Sequence, residues 1–374
     1  MAKLITITGK AVSGEWGTDD ETGNGIPVLR TTNFTNTGNV NYSNVVTRTI
    51  KKKNLEDKYL RSGDIIIEKS GGSDTQPVGR VIFFEGPSNK YLFNNFTGLL
   101  RVKDQTNWHS KYVFYSLFYN YITGGTKQFE NRTTGLHNLK TELYVNNFDV
   151  PDRPLPEQER IVAVLDSADR MIRLRRRELS LLDDLVKSRF VEMFGSVHDN
   201  QFNYPVKMIA EIASEIFAGG DKPEDCSSTQ DEEHPYPVYA NGYENNGLQG
   251  YSKSCRVTKD AVTISARGTI GYCFIRKANF TPVVRLITVV PSKDIIIDYL
   301  KEAIELLNLK STGTSQAQLI VPDFKKELLI VPPIELQEQF SDFIAQVDKA
   351  KAAIKKGIDE AQLLFDALMQ QYFG

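Results

Sequence analysis

Residues 64–70 read DIIIEKS, an acidic pair followed by a lysine, the side-chain types of a metal-dependent nuclease. The spacing to the lysine is wrong for that chemistry, and the apolar run between the acids reads as a strand. GNGIPV (23–28) is a fragment of a glycine-rich phosphate-binding fingerprint, but it precedes a strand-like run and reads as a turn. No GxxxxGK[ST] motif supports ATP binding, and VPPI (331–334) lacks the polar and aromatic partners of a base-methylating motif. Four histidines (His109, His137, His198, His234) stand without a second ligand at metal spacing. His137 and His234 read as surface hydrogen-bonding groups. Cys226, Cys255 and Cys273 are too few and too scattered for a disulfide framework or a zinc site, and they suit a reducing cytoplasm. The expectation is a chain with no catalytic centre, no cofactor and no metal.

Two further acidic pairs turn out to mark architecture. PLPEQER (154–160) and PIELQEQ (333–339) superpose when the sequence is shifted by 179 residues. The same shift brings Asp169 onto Asp348 and Phe194-Gly195 onto Phe373-Gly374. A period this long means a duplicated domain, because solenoid repeats are far shorter. Each copy opens a long amphipathic run. In the first, Ile161, Leu165, Ala168, Ile172, Leu179, Leu182, Val186 and Met193 follow steps of four and three, with Arg175 and Arg189 in the polar gaps. In the second, Phe340, Ile344, Val347, Ile354, Ile358, Ala361, Phe365, Leu368 and Tyr372 share the register, with Lys351 polar.

Such a sustained pattern predicts a coiled-coil seam. A helix packed only on its own domain is the alternative, yet about 35 residues at 1.5 Å each span roughly 50 Å. The expected arrangement is an antiparallel pair within the chain. The basic turn RMIRLRRREL (170–179) would face Asp342, Asp348, Asp359, Glu360 and Asp366. Prolines 154, 156, 332 and 333 start the helices, and Gln158-Glu159 and Gln337-Glu338 are placed to reach back to free first-turn N–H groups.

The regions ahead of each helix read as mixed α/β. Strand-like runs lie at 26–30, 63–69, 79–84, 260–265 and 285–290, and helix-like runs at 110–122 and 296–307. GIPVLRTTN matches PYPVYANGY, SGDIIIEKSGG matches TKDAVTISARG, and TTGLHNL matches GTSQAQL, while the loops between them diverge. The lead-in YPVKMIAEIASEIFAGGDKP (204–223) has only the shorter KLITITGKAVSGEWG (3–17) as its counterpart. A composition of 40% hydrophobic and 25% charged residues fits a globular protein, and no apolar run is long enough to span a membrane. Residues 1–150 hold 18 basic against 14 acidic side chains and residues 196–330 hold 14 against 17, so any nucleic-acid binding must rest on local basic patches or on partners that supply charge.

This order of parts resembles the specificity subunit of a type I restriction–modification system. The marks are IPVLRTTN, GDIII, ISARGTIG, and a TG…L segment some 23 residues before each Gln-Glu pair, occurring twice in order over nearly the whole chain. The resemblance implies an α+β fold with an internal pseudo-two-fold repeat. Two target recognition domains (1–153 and 196–332) would be joined by two long helices (154–195 and 333–374) forming an antiparallel coiled-coil spacer. It implies a non-catalytic cytoplasmic subunit that reads a bipartite sequence in double-stranded DNA. It also implies two methyltransferase subunits docked on the helices and restriction subunits bound through them.

Base edges are matched by Arg, Lys, Asn and Gln, and phosphates by Lys, Arg, Ser and Thr. The expected DNA contacts in the first domain are Arg30, Thr31, Thr32, Asn33, Lys69, Ser70, Gln76, Arg80, Lys127, Arg132, His137 and Asn138. In the second they are Asn241, Tyr243, Asn245, Arg267, Thr269, Thr312, Ser315, Gln316 and Gln318. A rigid spacer would set the gap between half-sites. A helical adaptor that does not read DNA, or an enzyme in its own right, are the competing readings.

Overall fold

The computed structural model describes residues 1–133, 136–196, 200–268, 270–307, 309 and 318–374. Four helices organise it: α1 (Ser110–Ile122), α2 (Leu155–Phe194), α3 (Ile297–Leu306) and α4 (Ile334–Phe373). Contacts divide the chain into two compact units, Met1–Leu174 with Ile358–Gly374, and Arg175–Gly357. Each unit therefore holds one mixed domain and half of each long helix.

The two domains repeat one topology. In the first, a sheet of order Val12–Ser13, Thr97–Leu100, Asp64–Glu68, Val81–Phe84 is antiparallel throughout. Its counterpart runs Ala213–Ala218, Ile287–Pro291, Ala261–Ile264, Cys273–Arg276. A second sheet in each carries one parallel pair, Val28 against Leu92 in the first and Val238 against Thr281 in the second. The apolar runs read as strands bury both faces: every residue of Asp64–Glu68 and of Ala261–Ile264 is buried.

The lead-ins, unequal in sequence, are equivalent in structure. A short strand, a helical turn and a second strand open both domains, and the first strand pairs just ahead of the long helix. Ala2 lies opposite Val150, and Val206 opposite Ile330.

The long helices pair antiparallel. Ile161, Leu165, Ala168 and Ile172 from the start of α2 share a core with Ala361, Phe365 and Met369 from the end of α4. In the other unit Val186, Phe190 and Phe194 share a core with Phe340 and Val347, and Leu182 and Ile344 pack at its edge. Leu179, Ile354, Ile358 and Leu368 are half-buried. The seam is also continuous with each domain, since α1 and α3 lie in these same cores. Phe190 and Phe194, outside the heptad register, are wholly buried for that reason.

Polar seam positions differ from the expected charge pattern. Arg175 on α2 donates to the Gly357 carbonyl of α4, where a Cβ would meet the guanidinium. Lys351 on α4 pairs with Asp183 on α2 at 2.7 Å, so this ion pair crosses with the opposite polarity to the one anticipated.

The glutamines at the helix starts also depart from expectation. Neither caps its own helix. Gln158 is fully buried; its Oε1 accepts from the His109 N–H at 2.9 Å, and its Nε2 donates to the carbonyls of Asn107 (2.9 Å) and Arg153 (2.8 Å). Gln337, equally buried, accepts from Ile296 N–H at 2.9 Å and donates to Asp294 (3.3 Å) and Pro332 (2.9 Å). His109 and Ile296 are the N-cap residues of α1 and α3. Each glutamine thus locks its domain's helix to the start of a long helix. Tyrosine hydroxyls reinforce the join, Tyr112 to Pro151 O and Tyr299 to Ile330 O.

Candidate nucleic-acid interface

In the first domain the candidates converge from three segments. The strand Ser70–Gly72 pairs with Leu136–Leu139, which pairs with Glu130–Thr133, so Lys69, Ser70, Arg132, His137 and Asn138 gather on one small sheet. Lys127 is exposed beside it in the turn Gly125–Phe129. Arg80 donates to the carbonyls of Thr31 (2.9 Å) and Phe34 (3.2 Å), tying the Arg30–Asn33 loop to this region. Lys69 donates to Ser13 Oγ at 2.9 Å, and burial together with the nearby Lys58 charge holds its ammonium pKa below the ordinary value.

Three of these side chains are committed to the frame in this structure. Asn33 is 1% exposed, accepts from Arg30 N–H and donates to Asn41 O, closing the loop on itself. Arg80 stacks over Phe34 and pairs with Glu68, with only 12% of its side chain exposed. His137, read as a surface group, is buried: its Nδ1 lies 3.0 Å from Glu130 Oε2 and its Nε2 3.4 Å from Asp74. These polar groups fill sites that a sequence cannot distinguish from loop positions. His234 is bonded to Asp231 at 3.0 Å. Exposed or half-buried positions remain at Arg30, Thr31, Thr32, Lys69, Ser70, Gln76, Lys127 and Asn138.

Glu68 answers the question raised by DIIIE. It is 2% exposed, and its Oε2 has no hydrogen-bond partner among the described residues. Burial raises its pKa against the opposing pull of Arg80. The folded state therefore binds this proton more tightly than the unfolded chain does. The penalty is present at neutral pH and is relieved as pH falls through the folded value. Glu68→Gln is expected to raise the melting temperature at pH 7 and to shrink the gain in stability on acidification from neutral pH. Thermal melts of both proteins from neutral to acidic pH check it.

In the second domain, Asn241 Oδ1 accepts from Ala266 N–H at 2.7 Å and Gly242 N–H donates to Ser265 Oγ at 3.2 Å, joining two candidate loops. Arg267 reaches Gln318 Oε1 at 3.3 and 3.1 Å, and their backbones pair as Ser70 and Asn138 do in the first domain. Tyr243 is exposed and lies 5.1 Å from the Tyr272 ring. Asn245 stands exposed at positive φ. Thr269, Thr312, Ser315 and Gln316 lie outside the described residues. No group of three or more metal-ligating side chains occurs among the described residues. No described helix is long and apolar enough to cross a membrane.

The chain matches the family model of the type I restriction modification DNA specificity domain twice, over residues 3–183 and 206–361. A Mycoplasma pneumoniae protein named as a type I specificity subunit is 26% identical over 274 residues, 71% of each chain. A second from the same organism is 27% identical over 291 residues, covering 72% of this chain and 82% of the other. Among solved structures, the S subunit of a type I restriction–modification system from M. genitalium aligns over 100% of this chain and 95% of its own, at TM-score 0.59 and 14% identity. A chain solved for the complex assembly and conformational transition of a type I system aligns over 100% and 96%, at TM-score 0.55 and 17% identity. With the family model spanning both domain–helix repeats, the chain belongs to the type I restriction–modification specificity-subunit family.

Proposed function

We propose that this chain reads a split sequence in double-stranded DNA, one half-site per domain, and carries methyltransferase subunits on its long helices. DNA sequence recognition is the general role of the family, whose members are generally non-catalytic. The observation that carries the finer reading is the duplication of one two-sheet frame whose loops present different polar sets at matching places. Matching frames with unlike loops suit two readers of different base patterns.

Exposed apolar side chains on the helices support partner docking. Met171 and Leu174, with Leu363 and Leu364, stand exposed in the first unit, and Leu181 and Leu185 in the second. Such side chains, placed away from the seam, suit burial by a partner. Restriction subunits would join through the methyltransferases, and nothing in this role calls for a cofactor on this chain. A helical adaptor that reads no DNA remains the competing reading.

Selection from a randomised duplex pool by the chain bound to its methyltransferase subunits tests it. Enrichment of a split sequence is the expected result, and no enrichment favours the adaptor. A second arm lengthens both long helices by one heptad, about 10 Å of helix. The preferred gap between half-sites should then increase by about three base pairs. An unchanged gap would end the spacer idea.

A further inference from the structure

One turn sits at the same place in both domains and was not among the expected DNA contacts. In the first domain Asn94 O accepts from Thr97 N–H at 3.1 Å, enclosing Asn95 and Phe96. In the second Val283 O accepts from Leu286 N–H, also at 3.1 Å, enclosing Val284 and Arg285. Both turns follow the parallel strand of the second sheet and lead into the central pair of the first. Their tips are exposed, Phe96 to 53% and Val284 to 50%.

The second turn is strained. Val284 lies at φ 52° and Arg285 at φ 63°. A tight turn with two positive φ angles favours Asn-Gly, and a β-branched residue there is an outlier. The surroundings hold it in place: Val284 N–H donates to Gly220 O (2.7 Å), Arg285 N–H to Gly219 O (3.0 Å), and Asn241 Nδ2 to Val284 O (2.7 Å). Gly219 has no room for a Cβ against the Pro282 backbone. Such strain persists where the side chains presented matter more than the turn itself.

The neighbours of both turns are the candidate DNA groups. Phe96 O accepts from the N–H groups of Lys69 (2.8 Å) and Ser70 (3.3 Å). Phe96 and Asn95 also border a cavity of about 580 Å³ that Lys10, Lys69, Ser70 and Asn138 line. Asn241 bonds at once to the Val284 carbonyl and to the Ala266 N–H, next to Arg267. An apolar tip amid basic and amide groups fits a base better than a phosphate.

We infer that this turn reads bases in each domain. Phe96 offers its ring to a base face or thymine methyl in one half-site. Val284 and Arg285 offer a methyl contact and a guanidinium fork to a thymine–guanine edge in the other. The inference rests on the split-target reading above and adds the residues that determine specificity.

The test uses the full chain with its methyltransferase subunits on a randomised duplex pool. Arg285→Ala and Val284→Gly should each reduce preference on the order of 10–100-fold at one or two positions of one half-site, leaving the other half unchanged. Phe96→Ala should do so in the opposite half. Val284→Gly relieves the backbone strain, so it should melt no lower than the parent, which separates lost preference from unfolding. Unchanged preference in all three variants overturns the inference while leaving the split-target reading intact. So does uniform weakening on every sequence with a shallower salt dependence, the mark of a phosphate contact. Loss of methyltransferase binding in place of sequence preference likewise overturns it. If the parent enriches no sequence, the split-target reading itself falls, and this inference with it.

Discussion

Gln158→Ala is expected to lower the melting temperature of the first unit by roughly 6–12 °C. The substitution removes three hydrogen bonds at once and leaves the His109 N–H and the Asn107 and Arg153 carbonyls without their partner. At about 1 kcal/mol for each buried group the loss is about 3 kcal/mol, and for units of this size each kcal/mol is worth ~2–4 °C. Gln337→Ala should act on the second unit in the same way, through Ile296, Asp294 and Pro332. Gln158→Glu is the sharper variant, because a carboxylate of the same size cannot donate to two carbonyls. It should be worse than alanine at neutral pH and recover in part on acidification, when the protonated acid regains one donor. Calorimetry at two pH values reads all of this. A melt within a degree of the parent would mean that the glutamine does not hold the domain to its helix. The clamp also sets where each domain is held on the long helix.

Phe340→Ala should be more damaging still, costing about 3–5 kcal/mol as a large buried side chain is replaced by a cavity. Phe340 meets Phe190 at 5.6 Å and Phe194 at 5.5 Å, both edge-on, while Tyr299 stacks on Phe190 at 5.4 Å. All four are fully buried, so the rings cannot relax outward. This cluster joins α2, α3 and α4 in one place, and its loss should uncouple the second domain from both helices. Phe340→Leu keeps most of the volume and should cost about 1–1.5 kcal/mol. Shifted by 179 residues, the same sites hold Ile161, Met369 and Phe373, with Tyr112 beside them at 5.2 Å from Phe373. Ile161→Ala should therefore weaken the first unit in parallel, within about 2–5 kcal/mol. Separate melting of the two units, followed by hydrogen exchange on α1 and α3, would show each substitution acting on its own unit. If Phe340→Ala left the exchange of α3 unchanged, the ring cluster would not be what couples them.

Much of the architecture was legible in the residues alone. The 179-residue repeat is carried by matching residues at a fixed separation, the long helices by four-and-three apolar steps, and the strands DIIIE and AVTI by short apolar runs that are buried at every position. The proline-led helix starts and the motifs behind the family resemblance are read from residue identity in repeated order. What periodicity cannot carry is the choice of partner for a single polar side chain. Gln158 looked like a cap for its own helix because its nearest free N–H groups lie there. Folding instead offered it the N-cap of α1, 49 residues back in the sequence. Asn33, Arg80 and His137 looked like loop donors for DNA, yet tertiary packing turned each toward a carbonyl or carboxylate of its own domain. Phe190 and Phe194 fell outside the heptad because a second surface, the domain's own helix, claims the end of α2. The turns at Asn95–Phe96 and Val284–Arg285 carry no motif at all. They are set by the strands on either side and, in the second domain, by Gly219 and Gly220, whose carbonyls accept from the Arg285 and Val284 N–H groups. The duplicated frame could be read from the residues, because apolar spacing recurs along the helices and strands of both halves. Which polar groups build that frame and which stand exposed on its loops depends on folding, because a hydrogen-bond partner is a matter of position in space.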